Sequence, residues 1–333
     1  MAPLVSRRRV IGISAAAAGL SLLPLGRTAR AQAHVVTWRG EAMGAVATLQ
    51  IHHHDRTAAE SLVERALGEV RRLERIFSLY REDSALVSLN RQGFLVAPAP
   101  ELVTVLHECH RYFEMTDGAF DPTVQALWTL YRDHFTRPGA DPRGPSEGAL
   151  QAALSLVGFE DVTFDENRIA LRRRGSALTL NGIVQGFATD RVVDLLRSAG
   201  IEHSLVDMGE SRALGTRPDG NAWAIGIADP NEPLRVSETL RIIDRAVATS
   251  GGYGFRFDPE GRFTHLFNPW TGLSPNRYAS VTTISPTATE ADALSTAFAV
   301  LSREEIGRML RSLGHGQVHL ISASGERGVL SAT

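Results

Sequence analysis

The chain of 333 residues contains no lysine; all 35 of its basic residues are arginine, set against 37 acidic ones. That absence excludes Schiff-base chemistry, a lysine nucleophile and any phosphate site built on an ammonium group. Cysteine is nearly absent too. The single Cys109 permits no disulfide within one chain, and its place in LVTVLHECHRYF, on the apolar side of a helical pattern, reads as a packed thiol rather than a nucleophile. No repeat, low-complexity tract or basic stripe is present, which argues against nucleic acid as a partner. Beyond the N-terminal segment no apolar run is long enough to cross a bilayer.

That segment has a recognisable order. Ser6, Arg7, Arg8 and Arg9 precede the apolar run Val10 to Leu25, and Ala29-Arg30-Ala31-Gln32-Ala33 follows it. A basic start, a short apolar run and a small-residue cleavage site describe an export signal, and the paired arginines indicate the twin-arginine route. Residues 1–33 are therefore read as a signal and 34–333 as a periplasmic protein. The alternative is a retained membrane anchor, but Ser14, Gly19, Ser21 and Pro24 interrupt the run, which is short for a span of roughly 20 residues. Cleavage would remove five arginines and no acid, taking the formal charge from −2 to −7. An apolar content of 43% is sufficient to build a core.

Periodicity supplies a coarse order of elements. HVVTWRGEAMGAVATLQIHH reads as two strands around a glycine turn. Leu62, Val63, Ala66, Val70, Leu73 and Ile76 mark a long amphipathic helix. A second helix spans about Glu101 to Met115, and a third begins near Pro122, a first-turn position that suits proline. Thr136 to Gly148 is a Pro/Gly-rich surface loop. The second half is richer in strands: VTFDENRIALR as a hairpin, then SALTL, HSLVDMG, AWAIGIADP, RAVATS and YASVTTIS. Helices at Thr289 to Leu301 and Arg303 to Leu313 and a final strand QVHLISA close the chain. Strands joined mostly by hairpins predict an α+β fold of mixed and antiparallel sheets with packed helices, in one domain.

Several stretches carry residues suited to chemistry. LTLNGIVQGFATDRVVDLLRSAG reads as strand, glycine turn and helix, and a helix N-terminus can hold an anion without lysine; glycine at such a turn is also commonly structural. In TEADALSTAFAVL, Asp292 and Thr296 are four apart and share a helical face, with Ser295 beside them. These are hard oxygen donors of the kind Mg²⁺ prefers. The competing reading is a helix cap, with Thr289 or Glu290 ending the strand and Asp292 serving the dipole. His265, in FTHLFNPWTGLSP, stands beside a turn and is either a general base or a partly exposed polar residue. Adjacent histidines in IHHH alternate faces on a strand and cannot converge on one ion. GAFDPTVQALWTLY and RIFSLYREDSALVSLN place aromatics beside polar turns, suitable for packing a flavin or adenine ring, or a core.

In this order the segments resemble the ApbE family of FAD:protein FMN transferases, from about Trp38 to Ser324. EAMGAVATLQI is similar to its opening M-G-T segment, with Ala45 in place of threonine. FSLYREDSALVSLN, DGAFDPTVQALWTLY, NGIVQG, AVATSGGY, HLFNPWTG and ADALSTAFAVL are similar to six further blocks. The resemblance implies that FAD is the substrate and that Mg²⁺ is held by the backbone carbonyl of Gly182 with Asp292, Ser295 and Thr296. It implies that Met43, Tyr80, Ala119, Phe120, Asp121, Thr179 and Gln185 line the FAD site, with His265 and Phe267 near the reacting end. A serine or threonine of a partner flavoprotein would attack the FMN-side phosphorus, with His265 as base and AMP as leaving group. The expected partner has an exported flavin domain, such as a membrane-bound electron-transfer subunit.

The sequence also departs from the family pattern. Gln185 stands where lysine or glutamate is common, Thr179 and Asn268 where aspartate is, Gly209-Glu210-Ser211 in place of G-G-D, and Ser295 where some relatives carry aspartate. With the twin-arginine pattern these features also resemble the NosX-like branch associated with nitrous-oxide reductase maturation. Hydrolysis of FAD to FMN and AMP, and flavin carriage without catalysis, are the alternative activities.

Overall fold

The computed structural model describes residues 34–332 apart from Pro233, so the signal reading at 1–33 falls outside the described residues. Strands β1 (His34–Ala42) and β2 (Ala45–His53) pair antiparallel. Met43 and Gly44 connect them, with φ of 52° and 78°; two left-handed residues give a turn whose twist matches that of the paired strands. Helix α1 (Arg56–Phe77) starts where Asp55 accepts from the Ala58 N–H. It buries Ala59, Leu62, Val63, Ala66, Val70, Leu73, Ile76 and Phe77, a stripe at three- and four-residue spacing.

The middle of the chain is helical. It contains α2 (Ala85–Gln92), the short β3 (Phe94–Val96), α3 (Pro100–Met115), α4 (Gln125–Phe135) and α5 (Glu147–Leu154). A 3₁₀ turn at Pro122–Val124 leads into α4, and Cys109 is fully buried on α3. Strands β4 (Val162–Phe164) and β5 (Arg168–Leu171) join β3 in a small sheet of order β3-β5-β4. Then come α6 (Val184–Ser198), β6 (Ser204–Asp207), β7 (Ser211–Leu214), β8 (Trp223–Ala228), β9 (Val236–Ile242), β10 (Ala246–Ser250), β11 (Tyr278–Ser285), α7 (Ala288–Phe298), α8 (Arg303–Leu313), β12 (Gln317–Ser322) and β13 (Arg327–Ser331).

The main sheet has eight strands in the order β1-β2-β6-β7-β10-β11-β12-β13, with every neighbouring pair antiparallel. Side chains alternate between its faces. Val206 and Leu214 join the helical core with α1, α6 and α7, whereas Leu205, Ala213 and Val247 pack against Trp223, Ile225, Ile227, Leu240 and Ile242 of the β8–β9 ribbon. The protein is thus an α+β sandwich of helices, sheet and ribbon.

SALTL is not a strand. Its backbone is bonded elsewhere: Asn90 Nδ2 donates to the Leu178 carbonyl at 2.8 Å, Asn90 Oδ1 accepts from the Leu178 N–H at 2.7 Å, and the Thr179 N–H donates to Pro122 at 2.8 Å. No edge is left for a neighbouring strand, and the segment ties the helical half to the start of α6.

Candidate active site

Helices α6 and α7 build one wall of a cleft and hold each other at their N-terminal ends. On α6, Asp190 accepts from the Ala288 N–H (2.8 Å), the Thr289 N–H (2.8 Å) and the Thr289 hydroxyl (2.6 Å), so it serves the free N–H groups that open α7. On α7, Asp292 Oδ2 accepts from the Gly186 N–H at 3.0 Å, near the start of α6. Gly186 makes this contact possible, because a Cβ there would lie 2.2 Å from the Ala288 carbonyl oxygen. The cap on α7 is Thr287, whose side chain accepts from the Glu290 N–H. Asp292 therefore does not cap its own helix; it faces α6 and the cleft.

Around Asp292 several oxygen donors gather. Thr296 lies one turn on, and Gly182 packs so closely that a Cβ would sit 2.8 Å from Thr296 Oγ1. Ser250, at the end of β10, bonds Ser295 Oγ at 2.8 Å and reaches Thr296 Oγ1 at 3.4 Å, while Ser295 also donates to the Asp292 carbonyl at 3.0 Å. Gly182, Ser250, Thr296, Asp292 and Glu210 all line the cleft; Ser295 is braced behind them. Burial raises the Asp292 carboxyl to about 7, the Gly186 N–H opposing that rise and the charge of Asp190 adding to it. Glu210 is pushed well above the usual carboxylate range by burial and then by Asp292 and Asp207. No arginine pairs with either Asp292 or Glu210 among the described residues; Arg212, close by in sequence, is committed to Asp190 at 2.5 Å. A divalent cation fits this donor set, since hard oxygens and uncompensated buried carboxylates are what Mg²⁺ binds.

The cleft also has aromatic lining. Tyr131 and Phe135 of α4 pack with Phe257, Phe263 and Phe267, and Phe267 lines the cleft with His265. His265 Nδ1 lies 3.3 Å from the Phe255 carbonyl. A carbonyl can only accept, so the proton sits on Nδ1 and Nε2 is left as an acceptor. Burial lowers His265 to about 4, which keeps it neutral near pH 7. Arg132 is the only arginine among the cleft-lining residues, with its guanidinium 5.2 Å from the Trp128 ring centroid.

The sequence-derived site residues separate into groups. Tyr80, Asp121, Thr179, Gly182, Gln185, His265, Phe267, Asp292 and Thr296 share the cleft. Ala119 and Phe120 send their side chains into the core, both 3% exposed, and of that triplet only Asp121 reaches the cavity. Asp121 also braces a turn, accepting from the Thr123 N–H (2.8 Å), the Thr123 hydroxyl (2.5 Å) and the Phe159 N–H (3.3 Å). Met43 is packed against the core at the β1–β2 turn, and its carbonyl accepts from Gln185 Nε2 at 3.3 Å. Of the histidine triplet, His52 lies edge-on to Trp223 and His53 bonds at Asp55. Sequence reasoning did not single out Asp190, Ser250 or Arg132 as site residues, and it saw Glu210 only as a departure. Asp190 ends the NGIVQGFATD stretch, but its partners on α7 lie nearly a hundred residues away.

Comparison with known proteins is consistent along the chain. The profile of the ApbE family matches residues 43–320. A Vibrio cholerae protein named FAD:protein FMN transferase is 33% identical over 257 residues, covering 75% of each chain. A Treponema pallidum protein of the same name is 32% identical over 284 residues, covering 77% of this chain and 76% of the relative. Among solved structures, the ApbE protein of Thermotoga maritima superposes with a TM-score of 0.78 at 28% identity, covering 89% of this chain and 97% of its own. The flavin transferase ApbE of Vibrio cholerae gives 0.76 at 28% identity, covering 90% and 98%.

Proposed function

The chain belongs to the ApbE family, and we propose that it works as an FAD:protein FMN transferase that joins FMN by a phosphoester to a serine or threonine of a protein acceptor. The observation that carries this reading is the meeting, in one cleft, of the oxygen cluster on α6 and α7 with aromatic lining and a neutral histidine.

The residues divide the work. Phe267 and Tyr80 offer ring faces and edges to a flavin. The Gly182 turn lets the pyrophosphate approach backbone near the start of α6. Asp292, Thr296 and the Gly182 carbonyl are the donors assigned to Mg²⁺, with Ser295 and Ser250 holding Thr296 in place. When bound, that ion supplies the positive charge which a chain without lysine lacks here, neutralising phosphate oxygens. His265 Nε2 takes the proton from the acceptor hydroxyl as its oxygen bonds to the FMN-side phosphorus. The bond from that phosphorus to the bridging oxygen breaks, and AMP departs with that oxygen. The hydrogen bond from Nδ1 to Phe255 holds the imidazole in the tautomer this step needs. The phosphates of bound FAD raise the histidine from its low resting value toward the range of an effective base.

Incubation with FAD, Mg²⁺ and a serine- or threonine-bearing acceptor peptide tests the reading by mass spectrometry. One FMN-phosphate unit is expected on the peptide, together with AMP, and EDTA should prevent both. Release of FMN and AMP with an unmodified peptide would make the protein a hydrolase, and intact FAD would make it a carrier. The acceptor is assigned to the periplasm on the twin-arginine pattern of residues 1–33. Changing Arg7→Lys together with Arg8→Lys should keep the protein in the cytoplasmic fraction; unchanged export would refute that assignment.

A further inference from the structure

Asp292 is the one carboxylate among the donors assigned above, since Ser295 is neutral and already bonded to Ser250 and the Asp292 carbonyl. One negative charge in a buried site leaves a divalent ion poorly neutralised. The cleft contains another acid in the right surroundings. Glu210 is 7% exposed, lines the same cavity as Asp292, Thr296 and Ser250, and has no arginine partner among the described residues. Its carboxyl accepts from the backbone of Thr249, beside Ser250, and its carbonyl from the Thr189 hydroxyl at 2.8 Å.

The turn that presents Glu210 is built rather than loose. Asp207 accepts from the Gly209 N–H at 3.0 Å and from the Ser211 hydroxyl at 2.8 Å, which fixes the residues on either side. Gly209 has φ of 113°, and a Cβ there would lie 2.8 Å from Gln185 Cδ, so the turn sits directly against the start of α6. The braced turn thereby holds Glu210 in the same cleft that Asp292 enters from α7. We propose that Glu210 is the second carboxylate of the cation site, binding the metal directly or orienting its water. This inference rests on the Mg²⁺ assignment above.

Mn²⁺ is the probe, titrated into the intact protein with and without saturating FAD and followed through the EPR signal of the free ion. Asp292→Asn should abolish uptake. Glu210→Gln should weaken it about 10- to 100-fold, the range seen when a partner of a metal site is lost, and Glu210→Asp should recover part of that loss. Unfolding in EDTA guards against a folding defect: Glu210→Gln keeps the size and shape of the side chain and breaks no ion pair among the described residues, so its metal-free midpoint should equal or exceed that of the wild type, while the rise on adding Mn²⁺ should shrink. Wild-type affinity in Glu210→Gln, with uptake lost in Asp292→Asn, would overturn the role of Glu210 and leave the metal reading standing. No specific uptake by the wild type in either condition would overturn both.

Discussion

Truncating Asp190 to alanine should cost far more than the loss of a surface acid. The change removes the acceptor for the Ala288 and Thr289 N–H groups and the Thr289 hydroxyl, and it strands Arg212, whose side chain is 11% exposed. Losing an N-cap alone costs about 1 kcal/mol. Breaking a buried ion pair from one side costs about 3–5 kcal/mol, because the remaining charge stays buried without a partner. The second term decides the size, and we expect a loss of about 4 kcal/mol, or roughly 6 °C in midpoint for a domain of this length. Urea unfolding at pH 7 in EDTA measures it without any contribution from metal. A double variant with Arg212→Met added should be more stable than Asp190→Ala alone by about 1 kcal/mol or more, since it removes the stranded guanidinium. A single variant within about 1 kcal/mol of the wild type, or a double variant whose losses simply add, would refute the argument.

Gly186→Ala must push α6 and α7 apart to relieve the 2.2 Å contact with the Ala288 carbonyl oxygen. Overpacking of about 1–3 kcal/mol is expected in urea, with transfer slowed about 10²-fold by displacement of Asp292; normal turnover would show that the helices give way elsewhere. His265→Gln should slow transfer about 10²- to 10⁴-fold while FAD affinity, read from flavin fluorescence, stays within about twofold. Lost FAD binding would instead make His265 part of the cavity wall alone. The raised Asp292 carboxyl, at about 7, sets the sign of a pH effect. The metal-free native state holds that proton more tightly than the unfolded chain, so stability falls as pH rises through 7. The loss is about 1 kcal/mol between pH 6 and 7 and only about 0.3 kcal/mol between pH 7 and 8. Urea midpoints in EDTA should show it, and Asp292→Asn should remove it; a rise over that window would contradict the burial of Asp292.

What could be read from the sequence depended on how far apart the interacting residues lie. Helix α1 and the β1–β2 hairpin follow from local period, and the four-residue spacing of Asp292 and Thr296 put them on one face before any neighbour was known. SALTL has the composition of a strand, yet whether it pairs depends on Asn90 and Pro122, which occupy its hydrogen bonds. The short α2 and α5 bury few residues and leave little periodic signal. Ala119 and Phe120 belong to the same motif as Asp121, but the chain passes through left-handed Asp117 and Gly118 just before them and turns their side chains inward. Glu210 and Asp190 were illegible as site residues for a different reason. Their surroundings are assembled from β10 and α7, and no local pattern records them.

The mutual hold of α6 and α7 also bears on how the protein is made. Gly186 and Asp292 are 106 positions apart, and Asp190 and Thr289 are 99 apart. Synthesis runs from the N-terminus, so α6 emerges with its partner helix still untranslated, and the hydrogen bonds that fix its start must wait for almost the whole chain. Contacts of such long range slow folding, because the loop between them has to be closed before they stabilise anything. They also make the cleft a test of completeness. A chain that stops before Ala288 keeps the residues of the first hairpin and α1, but it has neither the acceptor for Gly186 nor the α7 donors for Asp190. Premature termination therefore yields a protein without the site, rather than a weakened enzyme able to sequester flavin.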